Sequence, residues 1–276
     1  MLIMKNYLSK SFIAVLVFAT CAGFSLNVQA QSACGTNGSG AITETSAACF
    51  LQPDQYYMTV YKVGLCTALP SASTSAAFNA SNAGNCTTIF ENSAGSSVLV
   101  QKGISTPLSG TLTKPPNGAY AYGFIEVAPQ FRIVASKTFS SDKSGSVGGN
   151  PPGLYCWSKS GNAYVWNSST PAFAECATSP GTAQITTQLM NTFPNPDPFT
   201  MTQALFSKNY SANGTTVNAY LVGSDYKLPS TGSAGSMNGV TRLIGVTPLS
   251  ASITPTTRGF NTSFDVSSGS TLISKA

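Results

Sequence analysis

Apolar and polar residues alternate with a period of two in a series of short runs along this chain. From Gln55 to Cys66, Tyr57, Thr59, Tyr61, Val63 and Leu65 fall on one face, and Tyr56, Met58, Val60 and Lys62 on the other. Aromatic and β-branched residues at that period predict a strand. Thr87–Glu91, Ser97–Lys102 and Leu108–Lys114 follow as short strand candidates between Gly, Ser and Pro. Pro115-Pro116-Asn117-Gly118 marks a turn. After it, Ala119–Ala128 and Phe131–Phe139 read as a hairpin-like pair, with Tyr120, Tyr122, Phe124 and Glu126 sharing one face of the first. Gly153–Trp157 and Ala163–Trp166 flank Ser158–Asn162 as a second hairpin. Ala183–Met190, Phe199–Phe206, Thr215–Val222 and Gly259–Val266 complete the strand candidates, with Asn213-Gly214 as a tight turn before the third.

Between these runs lie segments without periodicity. Residues 31–54 read as a tethered arm, Leu69–Asn85 as a surface loop and Ser140–Pro152 as a Gly/Ser loop. Short strands at regular intervals, with no long helical period, predict an all-β protein. Its form is an antiparallel β-sandwich, Ig-like or jelly-roll-like. One continuous domain over 31–276 is the favoured reading. Ser179-Pro180-Gly181 would mark a boundary if there were two β subdomains, because every cysteine precedes it.

The N-terminus breaks this pattern. Lys5 and Lys10 precede the uncharged apolar run Phe12–Phe24, and Val28-Gln29-Ala30 offers small or β-branched residues for a cut before Gln31. That layout predicts a secretory signal peptide over residues 1–30. The run is shorter than the roughly 20 residues that span a bilayer. After cleavage no transmembrane segment is expected, and the mature chain is expected outside the cytoplasm, secreted or on the cell surface.

The cysteines agree with export. Leaving out Cys21, six remain: Cys34, Cys49, Cys66, Cys86, Cys156 and Cys176. An even number in an exported chain reads as three disulfides. Sequence does not choose among the 15 connectivities; neighbour pairing is the expected one, with separations of 15, 20 and 20 residues.

Composition narrows the chemistry. Only 8% of residues are charged, against about 25% in ordinary globular chains. Ser and Thr make up a quarter of the chain, so its polarity comes from hydroxyls and amides. Losing Lys5 and Lys10 lowers the net charge from +5 to +3, with no basic cluster, which argues against a nucleic-acid partner. There is no histidine, hence no Ser-His-Asp or Cys-His nucleophile. Without histidine or a CxxC, no metal is expected, and no cofactor.

The nine carboxylates leave a two-carboxylate glycoside hydrolase as the enzymatic alternative. No pair stands out by spacing. Glu126 alone sits on an aromatic strand face, where a cross-strand ion pair with Lys137 or Lys62 is its expected role. Tyr155, Trp157, Tyr164 and Trp166 on the second hairpin are the candidate platform for stacking on glycans, against the alternative that they fill the core. Phe260, Thr262, Phe264 and Val266 alternate near the C-terminus and are the candidate strand for exchange or assembly. The expectation is a non-catalytic structural or adhesive surface protein, with a self-assembling filament or coat subunit as one form of it. Its partners would be further copies or other surface proteins, or glycans. The alternative is a monomeric carbohydrate-binding module.

Overall fold

The computed structural model describes residues 12–13, 34–43, 49–78, 85–100, 105–145, 152–164, 174–193, 205–212, 215–260, 262–263 and 270–272. Among them every element is a strand. In chain order these are β1 (Phe12–Ile13), β2 (Cys49–Leu51), β3 (Gln55–Cys66), β4 (Cys86–Val100), β5 (Thr111–Leu112), β6 (Gly118–Val127), β7 (Gln130–Val134), β8 (Ser136–Lys143) and β9 (Gly153–Ser158). They continue with β10 (Gly161–Tyr164), β11 (Ala174–Ala177), β12 (Thr186–Leu189), β13 (Ser207–Ala212), β14 (Thr215–Val222), β15 (Arg242–Ile253), β16 (Thr262–Ser263) and β17 (Ser270–Leu272). The fold is all-β and sandwich-like. Its pairings are antiparallel except for β10 with β12 and β1 with β16.

One ten-stranded sheet dominates, in the order β10-β12-β7-β3-β6-β15-β14-β13, with β4 on β3 and β5 on β4. Its centre is β3, whose bounds match the sequence pattern residue for residue. β4 lines one edge of β3. The other edge is shared end to end: β7 pairs with Gln55–Tyr57 and β6 with Val60–Cys66. Ala128 joins the two, its N–H bonded to the Thr59 carbonyl at 2.8 Å. The expected hairpin between Ala119–Ala128 and Phe131–Phe139 is therefore absent. Proline in the Ala128-Pro129 step lacks an N–H for the ladder, and the sheet forks there, β6 continuing to β15 and β7 to β12.

One further expectation changes, and β15 is a strand that alternation did not predict. The Gly153–Trp157 and Ala163–Trp166 strands do not pair with each other. β9 lies between β8 and β11 in a separate three-stranded sheet, while β10 joins β12. The longest strand of the later chain, β15, carries no clean alternation: Leu243 and Ile244 are adjacent and both fully buried, and Pro248 sits at a bulge. A strand covered on both faces does not read as period two. By contrast β14 is as expected, and the register of its hairpin with β13 closes at Ala212 and Thr215, around Asn213-Gly214.

Both faces of the large sheet are covered. On one face Met58, Val60, Ile125, Val127, Leu221 and Leu243 pack against Met190, Phe193 and Phe206. On the other, Cys66, Phe124, Val222, Ile244 and Val246 pack under Phe78. Phe78 lies within the Leu69–Asn85 segment expected to be a surface loop. It is 4% exposed and in edge contact with Phe124. Gly64 allows this: a Cβ there would lie 2.2 Å from the Phe124 ring.

Two disulfides lie directly across paired strands, Cys66–Cys86 between β3 and β4 and Cys156–Cys176 between β9 and β11, with Cα atoms 3.9 and 4.1 Å apart. Cys34 is also disulfide-bonded. The side chain of Cys49, its expected partner, lies outside the described residues, as does the signal-peptide cut site.

Trp157 is 8% exposed, and a Cβ on Gly181 would lie 2.1 Å from its Cζ2 atom. Gly181→Ala is expected to push the indole out of place and cost about 1–3 kcal/mol. The check is a red shift of Trp157 emission in a Trp166→Phe background, with a lower urea midpoint.

Candidate functional site

The chemistry-bearing residues gather on one face of β3, on the side opposite the larger core. A β-bulge brings them there. On the β6 edge of β3 the register skips from Val60 to Lys62 against adjacent partners, leaving Tyr61 as the extra residue; on the β4 edge the same step spans Ser96 to Glu91 of β4. A bulge re-aims side chains, and here it turns two successive residues to the same side. Tyr61 lies under the Arg242 guanidinium, 3.8 Å from ring centroid to Cζ. Lys62 stands opposite Glu126. Simple alternation had put Lys62 on the face of Met58 and Val60.

Glu126 is the centre of this cluster. It is 2% exposed, and its Oε1 accepts from Arg242 Nε at 2.9 Å and from the Tyr226 hydroxyl at 3.0 Å. Lys62 Nζ donates to the Tyr226 hydroxyl at 3.4 Å and pairs with Glu91 at 3.3 Å. The carboxylate thus has Arg242 as its direct ion-pair partner. Lys62, one of the two partners expected, supports it across the strand pair. Lys137, the other, bonds Asp54 at 2.6 Å instead. An unpaired charge at this depth would be very costly, so the two cations and the hydroxyl are what permit Glu126 to sit there.

Tyr226 is held in the left-handed region at φ 62°, a cost of about 1–2 kcal/mol for a non-glycine residue. Its bonds offset this. The hydroxyl reaches Glu126, and its carbonyl accepts the Phe78 N–H at 2.7 Å, tying the 67–78 segment over the sheet. Burial pushes its phenol above the usual range, and the Glu126 charge adds to this. Burial alone would pull the Lys62 ammonium down. The charges of Glu126, Tyr226 and Glu91 outweigh it and hold the group above its ordinary value.

At Asp54 burial raises the carboxyl pKa, but the hydrogen bond and charge of Lys137 and the Ser136 N–H bring it below the usual range. A depressed pKa means stability that is present at neutral pH and lost as pH falls through the folded value. Lys137→Met is expected to raise the Asp54 pKa toward that of a free side chain, read by NMR titration.

Away from this cluster, the same face opens. Arg132 lies over the Tyr57 ring at 5.1 Å and donates Nη2 to Ser97 Oγ at 2.8 Å; the Tyr57 hydroxyl donates to Gln55 Oε1 at 2.9 Å. No motif of the sequence pointed to this group, because it joins Gln55 and Tyr57 of β3 with Ser97 of β4 and Arg132 of β7. Alternation did place Tyr57, Thr59 and Tyr61 together.

The residues of the candidate glycan platform are divided between two sheets. Trp157 is buried, Tyr155 belongs with it on β9, Tyr164 is half-buried on β10, and Trp166 lies outside the described residues. Of the expected assembly strand, Phe260 packs on a third apolar cluster of Leu65, Ile89, Tyr120, Ala251 and Ile253. Thr262 belongs to β16 and pairs with β1, while Phe264 and Val266 lie outside the described residues. Among the described residues no group of three or more carboxylates, cysteines or histidines is placed to hold a metal. No family model, curated protein or solved structure matches this chain.

Proposed function

We propose that this chain is an exported, non-catalytic structural or adhesive protein of the bacterial cell surface, working through association with further copies or with other surface components. The observation that supports it is the use made of charge. Among the described residues four carboxylates are joined to cations in ion pairs: Glu126–Arg242, Glu91–Lys62, Asp54–Lys137 and Glu175–Lys159. Each links residues that are distant in sequence. A hydrolase needs one carboxyl left to carry a proton and another to attack or activate water. Among the described residues the deeply buried carboxylate, Glu126, is paired with Arg242. The cross-strand disulfides fit the same purpose and suit an oxidising compartment.

Exchange through the terminal segment would require contacts to open first. Phe260 packs on the third apolar cluster and β17 pairs with β2, whereas the partner of β16 is β1, which lies within the leader that cleavage would remove. The test is to express the full chain with its leader, then fractionate the cells and examine the purified mature protein by size exclusion and negative-stain microscopy. A surface-bound fraction and concentration-dependent assemblies are the expected results. A strict monomer at high concentration, with none of it on the surface, overturns the reading.

A further inference from the structure

We infer that the open end of this face, centred on Arg132, is a binding site for a carboxylated sugar. The inference deepens the adhesive part of the reading above and relies on it for the compartment; the binding itself is independent of assembly.

The argument starts from charge. Lys62, Lys137, Lys159 and Arg242 each meet a carboxylate. Arg132 has no carboxylate partner among the described residues; its described contacts are the Ser97 hydroxyl and the Tyr57 ring. A guanidinium carries five N–H donors in a planar fork that matches a carboxylate in two-point fashion. The Ser97 bond and the ring fix its plane, so little freedom remains to be lost on binding. The site is accessible: Ser97 is exposed, and Arg132 and Tyr57 are partly so.

The surroundings define the rest of the ligand. Thr187 stands in register with Arg132 across β12 and β7, Arg132 with Tyr57 across β7 and β3, and Thr59 with Ser97 across β3 and β4. Adjacent strands lie about 4.8 Å apart, close to the width of one sugar ring. Gln55 spends its oxygen on Tyr57, which leaves its amide nitrogen as the donor. Among the described residues of this end of the face, a single cation ringed by neutral hydroxyl and amide groups complements one carboxylate set in a polyol. A polyanion such as nucleic acid would call for several cations in a row, and the neighbouring Arg242 is already neutralised by Glu126.

The experiment uses the mature, oxidised chain and titrates it by calorimetry with a glucuronate-terminated oligosaccharide and with its carboxyl-reduced counterpart. The acid form is expected to bind about tenfold or more tightly than the reduced form, the scale of a charge-assisted hydrogen-bonded pair. Arg132→Gln keeps a donor for Ser97 and is expected to remove that preference while leaving the thermal midpoint within a few degrees. Tyr57→Leu, which removes the stacked ring, is expected to weaken the acid form alone. Equal binding of the two oligosaccharides, no binding of either, or a preference that survives Arg132→Gln overturns the inference. So does equal affinity for an acidic peptide. Size exclusion on the same variants separates the two proposals: assembly that persists when sugar binding fails leaves the structural reading in place.

Discussion

Removing both described disulfides, by Cys66→Ala with Cys86→Ala and Cys156→Ala with Cys176→Ala, is expected to lower stability by about 6 kcal/mol. Each bridge closes a 20-residue separation, worth about 3 kcal/mol in the chain-entropy description. Together they approach the whole stability of a typical domain, about 5–15 kcal/mol. Urea unfolding of the oxidised protein beside the single-bridge and double-bridge variants checks this. The two bridges should contribute additively, since they lie in different sheets. The first has a local signature as well. It joins the two ends of the 67–85 segment, and Phe78 within that segment covers the second apolar cluster. Amides such as Phe78 N–H should therefore lose protection when Cys66–Cys86 is removed and keep it when only Cys156–Cys176 is removed. A loss below 1 kcal/mol for either bridge would mean that the unfolded chain is already constrained without it.

Glu126→Ala is expected to cost about 3–4 kcal/mol, because it leaves Arg242 and Lys62 facing each other without the carboxylate between them. Glu126→Gln should cost less, since its amide oxygen still accepts from Tyr226. The converse change is the sharper test. Replacing Glu126 and Arg242 together with leucine should recover much of the loss, because burying an ion pair gains little over burying apolar groups of similar size. Denaturant midpoints for the two single variants and the double variant complete the cycle. Near-additive losses would show that the pair is not coupled, and that Tyr226 or Lys62 is the true partner of Glu126.

The readable parts of this fold are the local ones. β3 and β14 follow from alternation and bounding turns, whereas β13 lies beyond the Phe199–Phe206 run expected to precede β14. The Cys66–Cys86 and Cys156–Cys176 pairs follow from nearness in the chain, because neighbouring strands bring such cysteines into register. β15 was illegible for a definite reason: with apolar neighbours on both faces, its side chains need not alternate. The forked edge of β3 was hidden too, since Ala128-Pro129 looks locally like a hairpin turn and only the presence of β12 and β15 makes it a branch.

The candidate site divides in the same way. That Glu126 would sit among aromatic residues and meet a cation was evident from its strand. Which cation it meets depends on β15 lying beside β6, a pairing between residues 116 positions apart. The Arg132 group joins β3, β4 and β7 and has no signature at any one of them. Short-range alternation, turn chemistry and cysteine spacing were sufficient to determine an all-β chain stapled across adjacent strands. The neighbours of each strand, the face covered by Phe78 and the partners of each charge were decided only in three dimensions. Those choices turn on burial and charge neutralisation between distant segments, and such energies have no local imprint on the chain.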